Sequence, residues 1–468
     1  MTPRRTRKKA VLAVAASLAS GLAYAQVASV PTTTDPGTTL TFGVLSTLRS
    51  DSNLDMTPTS PGTATLFDTA LNLGLHSHTR LSSFDLTLGG VLRAAHLPGG
   101  GSDTRFDGQS LRLGFSHASS AAKLTMAASY DAASLLYLDP LTATQQGSVD
   151  LAPSGGTRRL YAASIGLETG IDRPLGFLFS AQTSARRYSG ASAAYYDSTN
   201  TQLSMGARIA FSDTTTGKIV LTGSDFSAKD AARTRYRARG LDFTLGHDFD
   251  ARTHLDATLG TSRSQTVTTG GDASRTEPTL GLVLTRTLDN STATFSVQRS
   301  LSPGGARTTL TGGQAIDMTT GKFSYSLGAT RGDSGDVEAI ATLGYMQTLP
   351  TGQITANLSR QVVSPLAFTG LDAGDELVTR VNVSYRYNVN QLSGVRFGID
   401  YARVDPVAGN GVVPRRGSGF SAAYEHALTQ DWMLTAGYRY RNRTDPVNGT
   451  ASGNSVFFSI GRNFTVRP

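Results

Sequence analysis

Eight arginines, Arg112, Arg186, Arg208, Arg380, Arg386, Arg396, Arg439 and Arg441, fall in stretches where polar and apolar residues alternate, and all eight share the polar parity. That parity also carries Asp68, Asp85, Asp256, Asp400 and Glu425. Arginine presents a planar, permanently charged fork that holds carboxylates and phosphates through paired hydrogen bonds. Two chemistries follow. Arginines that face acids brace a wall, and arginines in excess attract an anion. Little else in the chain offers chemistry. Cysteine is absent, which removes disulfides, thiolate metal sites and cysteine nucleophiles together. The seven histidines, His76, His78, His96, His117, His247, His254 and His426, are scattered and none sits in a nucleophile motif. We therefore expect no enzyme, no metal and no other cofactor. His76 and His78 share a parity, but two ligands beside a turn fall short of a metal site.

The elements that position these arginines have a period of two. In Thr65–His76, Phe67, Leu71, Leu73 and Leu75 oppose Asp68, Asn72 and Gly74. In VTRVNVSYRYNV, Val381, Val383, Tyr385, Tyr387 and Val389 oppose Arg380, Asn382, Ser384, Arg386 and Asn388. In WMLTAGYRYR, Trp432, Leu434, Ala436, Tyr438 and Tyr440 oppose Thr435, Gly437, Arg439 and Arg441. Such alternation marks strands with one apolar and one polar face. Tyr and Trp gather near strand ends on the apolar face, where an interfacial girdle belongs.

The N-terminus reads as a secretory signal peptide over residues 1–25: a basic segment (Arg4, Arg5, Arg7, Lys8, Lys9), an apolar core Ala10–Leu22, and the cleavage site Ala23-Tyr24-Ala25. The apolar run is shorter than the ~20 residues of a spanning helix. The adjacent arginines fit the twin-arginine pattern poorly, which favours export of the unfolded chain. Those five cations account for most of the net +8, so 38 basic residues face 35 acids in the mature chain. A nucleic-acid partner loses its support there.

The rhythm runs from about Thr39 to Pro468 without a linker, after a short periplasmic tail over 26–38. We count about 22 strands, with roughly 20–24 as the range, since Lys218–Phe226 and Arg307–Met318 are weakly patterned. Short connections such as Gly170–Pro174, Asp250–Arg252 and Thr429–Asp431 alternate with long ones such as Ser52–Gly62, Leu136–Gly156, Thr268–Thr276, Ser364–Asp375 and Asp405–Gly417. Short turns on one rim and long loops on the other are the pattern of a transmembrane barrel. The organisation resembles Gram-negative outer-membrane β-barrels of the porin-like kind over nearly all of 39–468. The final strand is the sharpest match: Ser459, Gly461, Phe464 and Val466 follow the order of the terminal signal read by the barrel-assembly machinery, although the chain runs on to Pro468 where many such barrels end on the aromatic. The fold expected is an all-β, antiparallel transmembrane barrel in the outer membrane, in contact with lipid and lipopolysaccharide.

The resemblance also frames function. The tail leaves no room for a plug domain, which argues against a TonB-dependent transporter despite the strand number. The expectation is a porin-like channel for small hydrophilic solutes, with anions favoured by the arginine-lined lumen. An export conduit for an anionic polysaccharide, working with periplasmic partners, is the alternative. A wide barrel needs filling, and the loop from Ser134, with its apolar Leu135–Leu138, is the candidate to fold inward; extension of a strand explains it equally well. Porins are commonly trimers, and a homo-oligomer fits, though no stretch marks an interface. Arg331-Gly332-Asp333 reads as a chance match to an adhesion tripeptide. Arg233, Arg235, Arg237 and Arg239 continue the parity of Leu241, Phe243 and Leu245 and read as a strand rising above the membrane, where they face lipopolysaccharide phosphates; a bulge that turns the run inward is the competing account.

Overall fold

Residues Gly37 to Val466 build one closed sheet. In this computed structural model the residues described are 37–138, 155–191, 195–333, 335–363, 375–407, 414–446 and 449–467. The expected signal peptide (1–25) and most of the expected tail (26–38) lie outside them. Twenty-two strands, β1 (Gly37–Asp51) to β22 (Gly449–Val466), each pair antiparallel with their sequence neighbours. β1 then pairs with β22, from Leu40↔Val466 to Asp51↔Ser455, and closes the ring. Closure leaves no strand edge unpaired, which is the condition for a sheet to stand in lipid. The weakly patterned stretches are both strands, β9 (Thr215–Ala228) and β14 (Gly305–Met318), which fixes the number.

The expected loop Thr268–Thr276 is not a loop. β11 (Thr253–Thr268) and β12 (Gly271–Thr287) stay paired up to Thr268↔Gly271, so the hairpin extends upward and ends in a tight turn. The polar residues of this stretch alternate on a paired ribbon, and polarity alone marked them as loop.

Large apolar side chains point out, not in. Leu73, Phe177, Leu221, Leu241, Leu259, Phe397 and Val456 are all exposed along strand midsections. Aromatic residues including Phe211, Phe249, Tyr387 and Trp432 sit outward near the short-turn rim. No helix among the described residues is long and apolar enough to cross a membrane; the strands do the crossing. The buried apolar clusters are small. One joins Leu54, Ala64, Leu66 and Ala95, with Leu136 and Tyr137 packed against it. It lies on the inner face at the long-loop rim, where the connection 52–63 and the start of the loop after β5 (Ala122–Ser134) fold toward the wall.

One irregularity matters for the interior. Between β3 (Ser82–His96) and β4 (Ser102–Ala118) the register shifts across Gly89/Val91. The extra residue falls at Gly108, whose φ of +59° places it in the left-handed region. Arg93 pairs Arg105 above the shift and Thr87 pairs Arg112 below it. The bulge thus turns both Asp107 and Arg112, residues of opposite parity, toward the lumen.

Candidate functional site

All eight arginines singled out above lie on the inner face, but they do not form one site. On β4, Arg112 borders a recess of 630 Å³ with Asp85, Ser129, Gln182 and Gln202, and its guanidinium is 3.4 Å from Asp131. On β7 (Leu175–Ser189), Arg186 is buried. On β8 (Ser198–Ala210), Arg208 donates to the carbonyls of Gly170 and Ile171 at 2.8 and 3.3 Å, which ties down a short turn. The other five lie on the far side of the ring, on β18 (Glu376–Asn388), on its neighbour β19 (Ser393–Pro406) and, one strand further on, on β21 (Trp432–Asp445).

There the wall becomes a charge network. Arg386 and Arg396 stand directly opposite each other and share the carboxylate of Glu425 on β20 (Arg415–Ala427), at 3.2 and 2.7 Å. Arg441 donates to Asp51 at 2.6 Å, with both side chains buried, and so couples β21 to β1 across the closing strand. Arg380 lies deeper in the wall; its three guanidinium nitrogens are buried and have no hydrogen-bond partner among the described residues.

Across the seam the network continues through residues the sequence reading left out of the site. Arg93 of β3 makes a paired contact with Asp68 of β2 (Ala64–His78), Nε to Oδ1 at 2.7 Å and Nη2 to Oδ2 at 3.0 Å, and donates to Asp107 at 2.7 Å. Asp107 also accepts from the backbone N–H of Ser134 at 2.8 Å. Over this group lies a 3-10 turn, Leu135–Tyr137. The ring of Tyr137 covers the Arg93 guanidinium at 4.1 Å, and its hydroxyl donates to Asp103 at 2.9 Å. Burial and the Asp103 carboxylate push the Tyr137 hydroxyl up to about 12, so it remains a donor. The loop does fold inward as far as the structure describes it; 139–154 lie outside the described residues.

Between seam and turn lies a cavity of 140 Å³, lined by Arg49, Arg93, Arg396, Arg439 and Arg441, by Asp51, Asp68 and Glu425, and by Tyr137 and Phe457 among others. Arg49 projects into it from β1, and its buried Nε has no hydrogen-bond partner among the described residues. Thr47, Arg49 and Asp51 alternate with Leu48, so the parity signal for Arg49 was present in the sequence. Arg105 and Asp107 were hidden by the bulge, and Tyr137 gave no signal beyond an apolar loop.

The remaining candidate residues lie elsewhere. His76 and His78 both approach Asp85, at 2.8 and 3.6 Å, and no cluster of three or more metal-ligating side chains occurs among the described residues. Ser82 and Ser393 contact His117 and His426, each at 2.8 Å, but at the short-turn rim. Asp333 of the Arg-Gly-Asp tripeptide is engaged by Arg275 and by the N–H of Ala306.

The closed ring, the outward apolar belt and the polar interior define an outer-membrane β-barrel protein. No family model and no curated protein matches the sequence. Solved structures do. The FrpB iron transporter from Neisseria meningitidis aligns at a TM-score of 0.56, with 9% identity over 92% of this chain and 83% of that one. A ferric enterobactin receptor mutant from Pseudomonas aeruginosa, in complex with enterobactin, aligns at 0.51, with 10% identity over 92% and 82%. The likeness is one of fold.

It corrects the functional expectation. A porin-like channel, and the alternative of a polysaccharide export conduit, are not what the chain resembles: its structural neighbours are iron transporters and siderophore receptors. The interior supplies the physical reason. The seam arginines are not ranged along an open aqueous wall; Arg93, Asp107, Asp51 and Arg441 are buried beneath inward-folded chain.

Proposed function

We propose that this chain is the barrel of an outer-membrane uptake receptor for a compact anionic ligand, an iron chelate above all, taken from the external side and anchored at the seam. The cavity beside β1 carries this reading. Its lining sets five arginines against three acids, and Arg49 enters it with an unsatisfied Nε. Bracing alone needs no such excess, whereas anion capture does. The cavity has room for one anionic arm, with the rest of the chelate above it. The ligand class follows from the iron transporter and the ferric enterobactin receptor whose barrels this one resembles. Among the described residues strands and their connections take up 37–466, and Leu135–Tyr137 folds over the seam, so that the chain itself contributes to the external face of the cavity. Titration of the refolded barrel with ferric citrate and with a ferric tris-catecholate tests the reading, with quenching of Trp432 or heat as the signal. We expect saturable binding that weakens about tenfold for each of Arg49→Ala and Arg439→Ala. Absence of binding to both chelates, or binding indifferent to both substitutions, refutes it.

Assembly belongs to the same proposal. Phe464 and Val466 present exposed side chains to lipid, while Ser459 contacts Thr47 at 2.9 Å and Gly461 pairs Leu45 on the inner side. This arrangement fits a closing strand that also serves as the tag for the assembly machinery. Phe464→Ala with Val466→Ala should slow insertion by that machinery; an unchanged rate removes the tag.

A further inference from the structure

Antiparallel pairing puts directly opposed side chains about 5 Å apart, and like charges there repel. Among the described residues five such positions hold two arginines: Arg93/Arg105, Arg159/Arg187, Arg239/Arg263, Arg386/Arg396 and Arg403/Arg416. Three have at least one acid supplied by the chain itself. Arg93 and Arg105 have Asp68, Asp107 and Asp103. Arg386 and Arg396 share Glu425. Arg403 holds Asp405 at 2.8 Å. At a fourth, Arg187 donates to the carbonyls of Arg186 and Ser198, and Arg159 to the Ser189 hydroxyl. The guanidinium groups of Arg239 and Arg263 have no hydrogen bond or ion pair among the described residues. The nearest acid on that face, Asp225, is engaged at 2.9 Å by both Arg235 and Arg237.

The position of the pair matters. On β10 (Arg235–Asp248) it continues the outward face of Leu241, Phe243 and Leu245. Arg233 does not join it; it lies in the preceding connection with φ +48°. Phe249 marks the lower edge of the apolar belt at the short turn. Ten residues separate it from Arg239, about 33 Å of strand, and a tilt of roughly 40° reduces that to about 25 Å of height, the thickness of the apolar band of such barrels. Arg239 and Arg263 therefore stand at the upper edge of the lipid, on the external side. We propose that they form a clamp for a lipid-borne phosphate monoester of the outer leaflet, which supplies the partner that, among the described residues, the chain withholds from both guanidinium groups at this position alone. Two guanidinium forks bridged by one phosphate give charge-assisted hydrogen bonds, and the lipid's acyl chains lie along Leu241 and Leu259 below.

The test compares wild type, Arg239→Ala and Arg263→Asp in phosphatidylcholine vesicles containing bis-phosphorylated lipid A, dephosphorylated lipid A, or none with free inorganic phosphate. Heat-resistant mobility and native mass spectrometry read stability and retained lipid. Wild type is expected to gain stability and retain lipid only with phosphorylated lipid A, and Arg239→Ala to bind it about tenfold more weakly. Arg263→Asp provides an internal carboxylate, as Glu425 does inside. It should be as stable in plain vesicles as wild type with lipid A, and indifferent to lipid A. Equal stabilisation by the dephosphorylated lipid, an unchanged response in Arg239→Ala, or a continued lipid A requirement in Arg263→Asp would overturn the clamp. Stabilisation of wild type by free phosphate alone would overturn its assignment to lipid.

Discussion

Replacing Arg93 by methionine removes one guanidinium and leaves two carboxylates behind. Asp68 and Asp107 have side chains 12% and 9% exposed, and Arg93 itself is 3% exposed in the pair. Breaking a buried ion pair by deleting one partner costs about 3–5 kcal/mol, because the remaining charge is desolvated without compensation. Asp107 keeps the N–H of Ser134, and Arg49 contributes attraction to Asp68, so the lower half of that range, about 3 kcal/mol, is the expectation. Tyr137 also loses the cation beneath its ring, worth about 1 kcal/mol or more in a desolvated setting. The assay is reversible urea unfolding in lipid vesicles, followed by the single tryptophan, Trp432, at the short-turn rim. Converting all three residues together (Arg93→Met, Asp68→Asn, Asp107→Asn) should recover most of the loss, since the penalty belongs to the orphaned charges and not to the absence of the pair. A single variant within about 1 kcal/mol of wild type, or a triple variant worse than the single one, would refute this account.

Glu425→Gln leaves Arg386 and Arg396 opposed without a shared anion; we expect a loss of about 1–3 kcal/mol in the same unfolding assay, partly restored by high salt. Asp55, in the connection 52–63, has its carboxyl held above the ordinary range by burial and then by Asp51. A raised carboxyl favours the folded state while protonated in both states, and that contribution is lost as pH rises through its folded value. Asp55→Asn should therefore be more stable than wild type at pH 7 and equal to it near pH 3, in thermal melts across that range. Gly108→Val places a branched residue at φ +59° and its Cβ 3.3 Å from Val91. We expect a loss of about 1–3 kcal/mol and weaker heat-resistant mobility on electrophoresis, with Ser102–Asp107 more open to proteolysis.

Much of this barrel is legible in its parity. The facing of Phe67 against Asp68, of Tyr387 against Arg386 and of Tyr438 against Arg439 follows from a period of two, and the ladder needs nothing else to decide it. All eight chosen arginines consequently lie on the inner face. Parity does not say which strands become neighbours at closure. Arg441 meets Asp51 only because β22 lies between β21 and β1, a contact spanning nearly the whole chain. Nor can parity survive a bulge: Asp107 and Arg112 are five residues apart and both face inward because Gly108 absorbs the extra residue. A strict alternation assigns one of them to lipid, and so conceals the acid that completes Arg93. The seam is thus where local periodicity and long-range closure must both be right. Its anions and cations come from β1, β2, β3, β4, β19, β20 and β21, and none of those strands contains the site by itself.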